Sequence, residues 1–124
     1  MPRTNVVFFA ENDGTAPLVE WLDQQEHKVQ DKCLVKIERL QELGHELRRP
    51  EADFLRDGIH ELRVRHRTVN YRMLYFFDEQ IAVITHGLTK EDVVPDREID
   101  LAISRNAQFR QDRERHTYKE RTDG

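Results

Sequence analysis

The sequence predicts an α+β fold: a small, mainly antiparallel sheet in the order β-α-α-β-β-β-α, with two N-terminal helices on one face. Three observations predict it. Apolar residues at spacings of three and four run from Glu26 to Leu43, which is a helical period. Three short β-branched and aromatic runs, separated by turn residues, follow between Ile59 and Leu88. A fourth such run, Asn5 to Phe9, precedes the helices. The length of 124 residues fits one domain, placed at residues 1–107, with 108–124 as a polar tail that is partly helical or disordered.

Each element has its own local reason. Asn5 to Phe9 (NVVFF) is read as a strand, and Asn12, Asp13 and Gly14 as the turn after it. Thr15 is placed to cap a short helix with Pro17 in its first turn and Leu18, Val19, Trp21 and Leu22 as its apolar side. In the second helix Val29, Cys33, Leu34, Ile37, Leu40 and Gln41 form the stripe, Leu43 closes it, and Gly44 is the expected stop. Glu46 to Gly58 contains Pro50 and few apolar residues, so it is expected to be a loop, with Phe54 and Leu55 pinning it to the core. Ile59 to Arg65 alternates, with Ile59, Glu61, Arg63 and Arg65 on one side and His60, Leu62 and Val64 on the other. Val69 to Phe77 is more uniformly apolar and reads as a central strand. Asp78, Glu79 and Gln80 turn the chain into Ile81 to Leu88, and Pro95 opens a last helix faced by Ile99, Ala102 and Ile103.

Composition narrows the function classes. At 37% hydrophobic and 35% charged, the chain supports one modest core. No apolar run approaches the roughly 20 residues that span a bilayer. The Val6 to Ala10 run is too short for a signal peptide. A cytoplasmic location is expected. One cysteine, Cys33, rules out an internal disulfide and a cysteine-based zinc cluster. The formal charge is −4, yet residues 58–77 hold four arginines against Glu61 alone, while both flanking segments are acidic. This asymmetry points to an anion site in the middle of the chain.

Four stretches, "LRDGIHELRV" (Leu55 to Val64), "YRMLYFF" (Tyr71 to Phe77), "THGLTK" (Thr85 to Lys90) and "PDREIDLAISR" (Pro95 to Arg105), carry a resemblance over roughly residues 5–107. In this order and spacing they resemble the RelE/HigB superfamily of bacterial toxins, in particular its phage-derived HigB-like branch. The resemblance implies a RelE-like sheet and a toxin of a type II toxin–antitoxin pair. Such a toxin is a metal-independent endoribonuclease that cleaves mRNA on the ribosome. A small antitoxin, usually a helix-turn-helix protein, silences it. No cofactor or metal is expected. The branch carries paired lysines after the last strand, whereas here Lys90 is followed by Glu91 and Asp92.

RNA cleavage without a metal needs a base for the ribose 2′-OH, an acid for the leaving 5′-oxygen and a cation for the charge gathering on phosphorus. Arginine suits the last task because its planar fork binds phosphate through two N–H groups. Arg72, Arg63 and Arg65 lie on adjacent predicted strands and are the expected cations, with Arg72 foremost. Glu61 is either a general base or the residue that orients Arg63, and an Arg72–Glu61 ion pair is the plain structural alternative. Lys90 and His86 join the catalytic set by their match to the family motif. Arg67 and His66, near the hairpin turn, are candidate RNA contacts. The acidic balance favours a second class of function, a non-catalytic phage-derived binding module; a structural phage protein is a third reading.

Overall fold

The computed structural model describes residues 4–89 and 92–120. Its sheet has five strands: β1 (Asn5–Phe8), β2 (Ala52–Arg56), β3 (Ile59–His66), β4 (Val69–Asp78) and β5 (Ile81–Thr89). They lie in the order β1-β5-β4-β3-β2, and only the β1–β5 pair is parallel. Helices α1 (Pro17–Asp23) and α2 (His27–Leu43) precede β2, and α3 (Asp96–Gln111) follows β5. The fold is therefore α+β with a mostly antiparallel sheet.

The segment Glu46 to Gly58 is corrected from a loop. A single 3₁₀ turn (Gly44–Glu46) leads to β2, which pairs with β3. Asp57 and Gly58 supply the tight turn, both at positive φ (51° and 82°). This backbone matches the right-handed twist of a hairpin, and Asp-Gly is the dipeptide that favours it. Phe54 is corrected too: on an edge strand beyond the cover of α2, it is 56% exposed rather than core.

Each face of the sheet has its own core. Val29, Cys33, Ile37 and Leu40 of α2 pack against Leu62, Val64, Met73, Tyr75, Ala82 and Ile84. Ile99, Ala102 and Phe109 of α3 pack against Ile59, Leu74, Phe76 and Val83. Covering both faces explains why β4 is a near-continuous apolar run. Full burial of one such side chain is worth roughly 1.5–3 kcal/mol. A bulge in β5 places Leu74 opposite His86 and Tyr75 opposite Ile84, leaving Thr85 as the extra residue.

Residues 108–120 continue α3 to Gln111 and then return to β1. The Ala10 amide donates to the His116 carbonyl (2.8 Å), the Tyr118 amide donates to the Phe8 carbonyl (2.8 Å), and Phe9 and Thr117 form an antiparallel bridge. His116 is buried and stacks on Phe9 at 5.1 Å. Arg110 and Arg113 bind the buried carboxylate of Asp78. This return covers the outer edge of β1, which would otherwise present unpaired backbone groups.

Candidate functional site

Sheet register brings the arginines together. Arg63 on β3 lies directly opposite Arg72 on β4, and Glu61 lies one pair along, opposite Leu74. Period-2 alternation puts Glu61, Arg63 and Arg72 on the α3 face, past the end of the helix cover. Glu61 is 1% exposed. A carboxylate so buried needs compensating donors. Arg72 Nη1 donates to both Glu61 oxygens at 2.8 Å, and Arg63 Nε donates to Glu61 Oε1 at 2.7 Å. Arg72 Nη2 also donates to the Asp92 carbonyl at 2.7 Å, tying the segment after β5 to the sheet.

The network extends through β2. Asp53, opposite Glu61 in the β2–β3 register, accepts from Arg63 Nη2 at 3.1 Å and pairs with Arg49 Nη2 at 2.9 Å. Arg49 holds the Asp53 carboxyl below its ordinary range. The chain of charges thus runs Arg49, Asp53, Arg63, Glu61, Arg72.

Beside this network is a groove of about 650 Å³ between α2 and the β3–β4 hairpin. Its apolar floor comes from Val35, Pro50, Val64 and Tyr71. Lys32, Lys36, Arg63, Arg65 and Arg72 line it against a single acid, Asp31. Lys32 donates to the Arg65 carbonyl at 3.2 Å, and Lys36 pairs with Glu51 at 3.2 Å. Low-dielectric walls beside one sign of charge focus a field that attracts anions.

The residues selected from the sequence fall into distinct places. Arg63, Arg65 and Arg72 border the groove, whose floor residues Val64 and Tyr71 belong to the α2 face, while Glu61 holds the Arg63 and Arg72 side chains on the α3 face. The Arg63 side chain is 38% exposed and that of Arg72 is 12% exposed. Arg65 is exposed, with Nε donating to the Arg67 carbonyl at 3.3 Å. Arg67 occupies the hairpin turn at φ 58°, also exposed. His66 Nε2 comes within 2.8 Å of Glu26 Oε1, but at an angle that makes no hydrogen bond.

His86 is not brought to the groove. It lies beneath α3, with Nδ1 at 2.7 Å from Thr85 Oγ1 and Nε2 at 3.2 Å from Glu98 Oε1. Burial, with a smaller contribution from Arg105, pushes its imidazole down to about 4. Lys90 lies outside the described residues. Among the described residues no group of three or more His, Cys, Asp or Glu side chains converges as a metal site would, and no helix is long and apolar enough to cross a membrane.

Sequence reasoning missed Asp53, Arg49 and Tyr71. The missed signal was the Asp57-Gly58 dipeptide. Taken as a hairpin turn, it would have paired Asp53 with Glu61.

These features define a small α+β domain with a basic groove at one end of a mostly antiparallel sheet. A family model described as "Phage derived protein Gp49-like (DUF891)" matches residues 20–107, from within α1 to most of α3. The chain belongs to this phage-derived Gp49-like family, a toxin-like branch of the RelE/Gp49 superfamily. No curated protein matches the chain.

Proposed function

We propose that the protein is the toxin of a type II toxin–antitoxin pair, of the HigB-like branch, and that it inhibits translation by cleaving ribosome-bound mRNA in the cytoplasm. The observation that carries this reading is the cluster of Arg63, Arg65 and Arg72 on the β3–β4 hairpin bordering one groove, two of them fixed by Glu61. A carboxylate that holds guanidiniums in place before the substrate arrives spares the site their reorganisation in the transition state.

In this mechanism the ribose 2′-oxygen loses its proton to a base and attacks the adjacent phosphorus. The P–O5′ bond breaks, the 5′-oxygen takes a proton, and a 2′,3′-cyclic phosphate remains. Arg63 and Arg65, the more exposed pair, face the equatorial phosphate oxygens. Arg72 adds positive field at the groove wall and anchors the Asp92 segment. Glu61 is a positioning residue, since both its oxygens bind guanidinium N–H groups. The partner is an antitoxin encoded next to this chain, of the helix-turn-helix type.

A second reading, a non-catalytic binding module, draws on the same network: Arg63 and Arg72 already have carboxylate partners, and the chain is acidic at −4. Induced expression separates the two. The toxin reading expects growth arrest, new mRNA 5′ ends inside coding regions, and rescue by the adjacent gene. Normal growth with unbroken mRNA, from soluble folded protein, supports the module instead.

A further inference from the structure

A second cavity, of about 550 Å³, lies across the segment 48–53 from the arginine groove. Rings and arginines, with the single acid Asp53, line it: His45, Phe54, His60, Arg48 and Arg49. The rings are already arranged for stacking. His45 stacks on Phe77 at 3.7 Å, and His60 stacks on Tyr75 at 5.1 Å. Phe54 meets His60 edge-on at 5.1 Å and leaves most of its own surface in solvent. Burial, and then the neighbouring His45, hold the His60 imidazole below its ordinary range, so it serves as a neutral ring at pH 7. Arg48 is exposed and makes no side-chain ion pair among the described residues.

We propose that this cavity is a nucleobase subsite, which takes one unpaired base of a single-stranded RNA whose backbone lies in the arginine groove. Stacking on aromatic side chains beside a basic rim is how single strands are held without base pairing. The two sites abut. Pro50 lines the groove while Arg49, its neighbour, lines the cavity. Arg49 and Arg63 share one oxygen, Asp53 Oδ2, at 2.9 Å and 3.1 Å. A backbone that meets Arg63 therefore passes Arg49 at the cavity mouth. The basic rim suits a phosphodiester better than an acid-free peptide. This proposal rests on the RNA reading above and adds a binding determinant to it.

The test uses the full chain and ribosomes programmed with a synthetic mRNA. The mRNA carries 2′-O-methyl groups at the codon in the A site to block cleavage, and a single 5-iodouridine at successive positions. Irradiation should crosslink one position to the peptide containing Phe54 and His60. Phe54→Ala should weaken mRNA-dependent binding on the order of tenfold, the scale of one lost base–aromatic stack, with an unchanged melt. Phe54→Tyr, which keeps the ring, should restore it. If Phe54→Ala binds like the parent and crosslinks map elsewhere, while Arg63→Ala/Arg65→Ala loses binding, the subsite is wrong and the RNA reading stands. If no variant, parent included, shows mRNA-dependent binding, both fail. Protection of the cavity by a co-expressed partner protein, with no RNA crosslink there, also overturns the proposal in favour of a protein contact.

Discussion

Arg72 bridges both carboxylate oxygens of Glu61 through one terminal nitrogen, at 2.8 Å to each. Arg63, two residues along the same strand as Glu61, takes the same carboxylate at 2.7 Å. Two guanidiniums that would repel each other across the β3–β4 hairpin are thus locked together by a buried acid. The pairing makes this end of the sheet both an electrostatic feature and a structural joint.

Glu61→Ala should destabilise the fold by about 3–5 kcal/mol, because it strands partly buried charge. Glu61→Gln should recover part of the loss by keeping a hydrogen-bond acceptor. The double variant Glu61→Ala/Arg72→Ala should cost less than the sum of the singles, since the pair is directly coupled. Urea unfolding of the parent, the two alanine singles, the double variant and Glu61→Gln measures this, and strict additivity would rule out the coupling.

Arg65→Ala and Arg67→Ala should each leave stability within about 0.5 kcal/mol, as both side chains are exposed. Only Arg65→Ala should relieve growth arrest, with roughly a hundredfold loss of mRNA cleavage, because only Arg65 lines the groove. Equal effects of the two substitutions would remove Arg65 from the site.

Arg72→Ala should abolish arrest and also lower the melting temperature. Arg72→Lys should restore little of either, since an ammonium cannot bridge Glu61 and reach the Asp92 carbonyl with a rigid fork. Growth on induction, paired with a melt of each variant, checks this. An Arg72→Lys variant that arrests growth like the parent would show that charge alone suffices there.

His86 predicts a pH dependence. Its folded value is about 4, pushed down by burial, against about 6.5 in an unfolded chain. As pH falls through 6.5 the unfolded state takes up the proton first. Stability contributed by the neutral ring is therefore complete above 6.5 and lost progressively toward 4, to a total of about 3 kcal/mol. His60, lowered in the same direction, adds to the slope. Denaturation curves between pH 4 and 7 should flatten in His86→Asn; an unchanged slope would remove His86 as the source.

Gly87→Ala should destabilise by about 1–3 kcal/mol, because a Cβ there would overlap the Trp21 indole. The indole is held in place by its hydrogen bond to Thr89 Oγ1 at 3.0 Å. In a Trp21→Leu background the added cost of Gly87→Ala should shrink. A melt of the four proteins measures it.

Local sequence signals determined the elements. The three-and-four spacing from Val29 to Leu40, the alternation from Ile59 to Arg65 and the apolar run of β4 are periodicities that depend only on near neighbours, and they specified the α+β class and the strands β3, β4 and β5, but not β2. They also marked Arg63, Arg65 and Arg72 as one cluster, since strand neighbours and hairpin partners follow from short-range register. Tertiary structure alone decided what those arginines touch. The Glu61 carboxylate is shared because β3 and β4 pair Arg63 with Arg72, and because both faces of the sheet are covered up to that row. Asp53 enters only once β2 has paired with β3. His86 is turned from the groove to the underside of α3, where a one-residue bulge at Thr85 sets its side and packing sets its charge. Burial and register across strands are properties of the assembled sheet, and no window along the chain contains them.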